Sequence, residues 1–213
     1  MNVSLIDVAG GDLSVVNSAR VSFNKEVEDL SDKDEKLIGY LAQHKHMTPF
    51  RHNFIQLRCE VPLFLARQLM KHQSGLTWNE ESRRYVDYMP DFYSPYPWRK
   101  RPDSSIKQGS GEDLPFEDNL RAESLFVDLM TQARQTYTGL LKLGVAPEMA
   151  RMVLPQNMMV NFIWSGNLLA FFHVYALRSG EGAQEEAKVF AEELKKAVEP
   201  EFPISWKALE NSL

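Results

Sequence analysis

The chain has 213 residues, enough for one domain of ordinary size that buries a core without disulfides or a structural metal. Hydrophobic residues make up 44% and charged residues 25%, which excludes disordered, collagenous and coiled-coil classes. Lys and Arg number 24 against 29 Asp and Glu, and the resulting charge of -5 repels nucleic acid and anionic lipid unless positive charge is gathered locally.

Val3 to Val8, followed by Gly10-Gly11, reads as a short strand and a turn, with a helix from Asp12. Ser31 stands three residues before Asp34 and ahead of Leu37, Ile38, Tyr40 and Leu41, the pattern of a capped amphipathic helix ending near Gln43. Ile55, Leu57, Cys59 and Val61 alternate with Gln56, Arg58 and Glu60, as in a strand with one buried face. Pro62 suits the first position of a helix carried by Leu63, Phe64, Ala66, Leu69 and Met70 to about Lys71, with Arg67, Gln68, Lys71 and His72 on its last turns. From Gln73 to Tyr85 no apolar period is visible, which predicts a polar loop.

Tyr88 to Pro115 is rich in Pro, Ser, Gly and Asp and reads as an extended or mobile connection around 89–115 that contributes no core. Helices are predicted from Phe116 to Leu143, from Pro147 to Leu154, from Asn167 to Arg178 and from Gln184 to Val198. The sum is a mixed α/β, helix-rich single domain over 1–213, with a small sheet and no βαβ rhythm. No apolar stretch reaches the roughly 18 residues that span a bilayer. The start MNVSLIDVAG lacks the layout of a signal peptide, and the sole cysteine, Cys59, has no intrachain partner, so the cytoplasm is the expected location.

Chemistry concentrates around residues 67–85. Arg67 and Lys71 end a helix, and Thr77, Asn79, Glu80, Ser82, Arg83, Arg84 and Tyr85 follow. Hydroxyl, amide and guanidinium groups at that density bind phosphate bidentately and read a base edge, which is the composition of a nucleotide pocket. Two other classes compete. His44, His46, His52 and His72 suggest a metal hydrolase, but Lys45, Arg51 and Lys71 crowd them with positive charge and no nearby carboxylate offers a further ligand, so no metal is expected. Arg83, Arg84, Tyr85 and the Trp98 to Lys107 basic run suggest a non-catalytic nucleotide or nucleic-acid-binding module, against which the overall acidity argues. Taken alone, Cys59 is a small buried hydrophobe, His173 a core histidine and Arg178 a partner of its helix dipole.

Lys71-His72-Gln73, followed by Thr77-x-Asn79-Glu80-x-Ser82-x-Arg84-Tyr85, resembles the signature of the flavin-dependent thymidylate synthases. Further resemblances lie in order along the chain: Ala19-Arg20-Val21-Ser22-Phe23, His46-x-Thr48-Pro49-Phe50, Arg67-Gln68, Ala150-Arg151-x-Val153-Leu154-Pro155, and Leu177-Arg178 leading to Ala183-Gln184. The departures are Lys71 and Gln73 for Arg, Thr77 for Ser, one extra residue between His72 and Asn79, Leu169 for an Arg near the flavin, and Gly182 for a His.

The resemblance implies reductive methylation of dUMP to dTMP without a cysteine nucleophile. Methylenetetrahydrofolate gives the carbon, and FAD reduced by NADPH gives the hydride. It implies a homotetramer with FAD where subunits meet, in a fold that is not Rossmann, and no nucleic-acid or membrane partner. By the same resemblance Arg178 is the catalytic residue, set against the uracil ring. Gln68, Lys71, Ser82, Arg83, Arg84 and Arg151 contact dUMP, with Arg84 and Arg151 on its phosphate, and Glu80 bridges dUMP and flavin. The implied FAD positions are Ser22, His46, Thr48, Lys71, His72, Gln73, Glu80, Asn167, Leu169 and His173.

Overall fold

A computed structural model describes residues 1–103 and 109–213. Strands β1 (Asn2–Ala9), β2 (Phe54–Pro62), β3 (Leu76–Glu80) and β4 (Met159–Gly166) form one four-stranded antiparallel sheet in the order β1-β2-β4-β3. The helices are α1 (Asp12–Arg20), α2 (Asp32–Gln43), α3 (Leu63–Leu69), α4 (Phe116–Lys142), α5 (Pro147–Ala150), α6 (Leu168–Ser179), α7 (Glu185–Val198) and α8 (Pro203–Glu210). The mixed, helix-rich class read from the sequence is the one observed. The chain contacts resolve into two compact units. The first comprises Met1–Cys59, Leu69–Asn79 and Phe162–Leu213, and the second comprises Glu60–Gln68 and Glu80–Asn161.

In the first unit the alternation in β2 does what its period requires. Ile55, Leu57 and Cys59 are fully buried, while Arg58 is exposed. Full burial of an aliphatic side chain of this size contributes about 1.5–3 kcal/mol. The predicted pairing of Ser31 with Asp34 caps the helix: the Ser31 N–H donates to Asp34 Oδ2 at 3.0 Å and the Ser31 hydroxyl to the same oxygen at 2.5 Å. Arg20 closes on the same carboxylate from α1, so the hydrogen bond from Ser31 and then the guanidinium hold Asp34 below its ordinary pKa. Helix α6 packs on α7, α7 on β1 and α8 on α2. Trp164 meets Phe171 edge to face at 5.5 Å in this core.

Three elements are absent from the sequence reading. Residues 76–80, expected as loop, are the edge strand β3, and Trp78 stacks on Phe162 of β4 with centroids 3.4 Å apart. Strand β4 and helix α8 gave no readable pattern in the sequence. The N-terminus of α8 is satisfied by Asp12, whose carboxylate accepts from Ile204 N–H at 2.9 Å and Ser205 N–H at 2.8 Å. A cap supplied 193 residues away leaves no local trace. Tyr40, grouped with the apolar face of α2, is 54% exposed.

In the second unit α3 starts at Leu63, one residue later than expected, because Pro62 completes β2. Its first donors are taken by tertiary acceptors: Leu63 N–H by the Met158 carbonyl at 2.8 Å and Phe64 N–H by the Gln156 carbonyl at 2.9 Å. The helix ends at Leu69 instead of Lys71, so Lys71 and His72 lie beyond its last turn. The described part of the 89–115 connection is extended and hydrogen-bonded. The Asn119 side chain accepts from Trp98 N–H and donates to the Leu114 carbonyl, both at 2.7 Å, and Arg99 bridges to Asp113. Residues 104–108, with Lys107 of the basic run among them, lie outside the described residues.

Candidate functional site

The second unit holds a cleft of about 490 Å³. Its polar wall is Glu80, Glu81, Ser82 and Arg83 from the end of β3, Arg67 from α3, and Arg151 just after α5; Leu63, Met152 and Met158 supply apolar surface. This gathers Glu80, Ser82, Arg83 and Arg151 of the sequence-predicted residues in one place. Arg151 is exposed and its Nε–H donates to the Glu148 carbonyl at 3.2 Å. Arg84 is exposed too, with Nε 3.5 Å from the Glu148 carboxylate and its guanidinium 5.5 Å from the Tyr85 ring centre. Gln68, in the same unit, is not part of the cleft lining.

Arg83 is of a different kind. It is only 6% exposed, and its guanidinium donates to the Tyr88 carbonyl at 2.8 Å, lies 3.3 Å from Glu81 and covers the Tyr88 ring at 4.5 Å. The Tyr88 hydroxyl closes the group by donating to the Glu81 carboxylate at 2.8 Å, a bond that holds the phenol above its ordinary pKa. A buried cation requires such partners. Glu81 was absent from the sequence-predicted set; only the fold brings Tyr88 back onto it.

The first unit holds the remaining candidates in two groups. At the end of α6, Arg178 is half-buried and its Nε–H donates to His72 Nε2 at 3.1 Å. Burial lowers the Arg178 pKa, yet a guanidinium keeps its proton at any working pH. His72 is pushed below its ordinary value by burial first, then by Arg178 and His173. His173 is exposed, which corrects the core-histidine reading, and is lowered by desolvation and by Arg51. Asn167 is the N-cap of α6, its Oδ1 accepting from Ala170 N–H at 3.0 Å. The turn after His72 presses on this cap: Gly75 has φ +75°, and a Cβ there would stand 2.7 Å from Asn167 Nδ2. Leu169 is buried at 2% exposure, whereas Lys71 and Gln73 are exposed.

The other group lines a pocket of about 860 Å³ at the end of α1 and α2, where Ser22, His46 and Thr48 meet Phe23, Lys33 and Tyr40. Phe23 is 77% exposed, and Tyr40 packs against the rings of both His44 and His46, at 4.2 and 6.1 Å. Tyr40 was missed as a site candidate because an aromatic at helical spacing reads as core. Cys59 is sealed in the core of this unit, and burial pushes its thiol far up. Among the described residues no three His, Cys, Asp or Glu stand together as a metal site, and no helix is long and apolar enough to cross a membrane.

The model of the thymidylate synthase complementing protein family matches residues 4–204. A flavin-dependent thymidylate synthase of Thermus thermophilus is 36% identical over 211 residues, covering 99% of this chain and 76% of that protein. The protein of the same name from Kosmotoga olearia is 34% identical, covering 98% and 90%. Among solved structures, the UMP/dUMP methylase PolB from Streptomyces cacaoi, bound with 5-Br dUMP, is similar with a TM-score of 0.88 at 29% identity, covering 99% of this chain and 94% of that one.

Proposed function

Because the chain belongs to the thymidylate synthase complementing protein family, we propose that it is a methyltransferase that converts dUMP to dTMP in the cytoplasm, with methylenetetrahydrofolate as carbon donor and NADPH-reduced FAD as reductant. The observation that carries this reading is the match, over nearly the whole chain, to relatives named for that activity. The buried thiol supports the route without a cysteine. A nucleophilic cysteine needs an exposed, ionised sulfur beside a cation, and Cys59 is fully buried with its pKa raised.

The residues fit a flavin dinucleotide. The 860 Å³ pocket offers hydroxyls of Ser22 and Thr48, the His46 imidazole and the exposed rings of Phe23 and Tyr40, a donor set suited to phosphates and a flat heterocycle. We assign Ser22, His46, Thr48, Lys71, His72, Gln73, Glu80, Asn167 and His173 to hold it, in a homotetramer that places it at subunit seams. When bound, the flavin supplies the hydride.

The chain's own residues do the rest. Arg151 and Arg84 bind the dUMP phosphate by charge-assisted hydrogen bonds. Ser82, Gln68 and Lys71 add donors to the nucleotide, Glu80 accepts from it, and Arg83 shapes the cleft wall. Arg178 stabilises the negative charge that develops on the uracil ring and remains a cation throughout, so it acts electrostatically and moves no proton. Reconstitution with FAD should give a yellow protein whose colour bleaches with NADPH and which forms dTMP from dUMP and methylenetetrahydrofolate. A colourless protein that refuses FAD and binds dUMP without turnover would replace this reading with that of a nucleotide-binding module.

A further inference from the structure

The Nε–H of Arg178 donates to Nε2 of His72 across 3.1 Å. A ring nitrogen that accepts carries no proton, so His72 is neutral with its single proton on Nδ1. Both ends of the contact are anchored. The His72 N–H donates to the Leu69 carbonyl at 2.9 Å, and Arg178 belongs to the last turn of α6. The turn that follows His72 is held to the start of α6 by backbone too close for any side chain: a Cβ on Gly166 would stand 2.3 Å from the Gly75 carbonyl oxygen.

We propose that His72 is a positioning residue for Arg178: the neutral imidazole fixes the plane of the guanidinium, and protonation of His72 releases it. A bond to Nε restrains rotation of the guanidinium about its stem, which terminal contacts alone do not. A protonated imidazole would set donor against donor and cation against cation at hydrogen-bond distance. The groups that act on His72 are Arg178 and His173, both from α6, with Arg51 acting in turn on His173. Each disfavours a charged ring, and burial acts in the same direction. This inference rests on the reading of Arg178 as the cation that faces uracil, and adds what aims it.

The test has one arm that needs no turnover. With isotope-labelled histidine in the flavin-loaded protein, NMR titration should show His72, identified by its disappearance in His72→Gln, titrating below its ordinary value of about 6.5. In Arg178→Ala it should move up towards that value; a titration unchanged by Arg178→Ala overturns the proposal. In the kinetic arm His72→Ala should lower kcat on dUMP about 10–100-fold with a smaller change in KM. His72→Gln, which keeps an acceptor where Nε2 stood and has no proton to gain, should restore most of kcat and flatten the acid limb of the pH profile. Equal impairment of the two variants, or an acid limb unchanged in His72→Gln, overturns it as well. A wild-type protein that forms no dTMP overturns the functional reading instead, and the titration arm still decides whether Arg178 governs His72.

Discussion

Arg84 and Arg151 of the second unit and the arginine at the end of α6 place one functional group in different surroundings. Arg84 and Arg151 are exposed and share Glu148 through long or backbone-directed contacts. Exposed pairs of that kind are worth about 0–1 kcal/mol, so the proposed phosphate would displace them at little cost. Arg178 is half-buried and hydrogen-bonded to a neutral ring. In that less polar setting its field is screened less and its orientation is set before any ligand arrives. Solvated cations suit anchoring, whereas a desolvated and aimed cation suits charge stabilisation. Arg83 is a third case, a buried cation that Glu81 and Tyr88 neutralise and orient, and its place is in the architecture of the cleft.

The largest expected effect separates these roles by activity. Arg178→Ala should fold and bind flavin yet lose about 10²–10³-fold in kcat, the range found on removing one preorganised stabiliser; near-normal turnover would take Arg178 out of the chemistry. Arg83→Ala should instead appear in stability, with denaturant unfolding showing a loss of about 1–3 kcal/mol because Glu81 keeps only the Tyr88 hydroxyl and the Tyr88 carbonyl loses its donor. A loss no larger than that of Arg84→Ala would erase the distinction drawn between the two neighbours. Arg151→Ala should leave the melting temperature unchanged and raise KM for dUMP by about 10–100-fold, the worth of one or two charged hydrogen bonds; a fall in kcat with KM unaltered would contradict an anchoring role. Cys59→Ala should cost about 1 kcal/mol of stability from the small cavity it leaves and nothing in turnover. A stably folded, flavin-loaded Cys59→Ala protein without activity would reopen the thiolate route.

The smallest effect is on the pH dependence of stability. His72 and His173 both sit below their ordinary value in the folded chain, so on acidification the unfolded chain takes up protons first. Their contribution is therefore intact above pH about 6.5 and declines as pH falls from there towards the folded pKa. Thermal melts of His72→Gln should decline less than wild type over that window, and identical declines would leave the titration to other groups.

Legibility followed the range of the interactions. The pairing of Ser31 with Asp34, the alternation of Ile55 to Val61 and the helix opening at Asn167 are contained in a few consecutive residues, and all three stand in the fold. Strand β3 failed that test because Leu76 to Glu80 is a short edge strand whose aromatic anchor, Trp78, has its partner at Phe162. Helix α8 failed because its capping carboxylate is Asp12. The candidate site behaved likewise: Ser82, Arg83 and Arg84 were visible as a dense polar run, but nothing local marks Arg83 as buried, Tyr40 as exposed or His72 as the acceptor for Arg178.

The amino-acid order alone set the class of fold, the periodic elements and the string of cations and hydroxyls that marks the family, because period, capping and composition are properties of neighbours. Tertiary structure decided which cation is desolvated, which is spent on Glu81, which histidine must stay neutral and that the one thiol is out of reach. Those outcomes depend on burial and on partners up to 106 residues apart, as between His72 and Arg178, and such distances close only when the chain has folded.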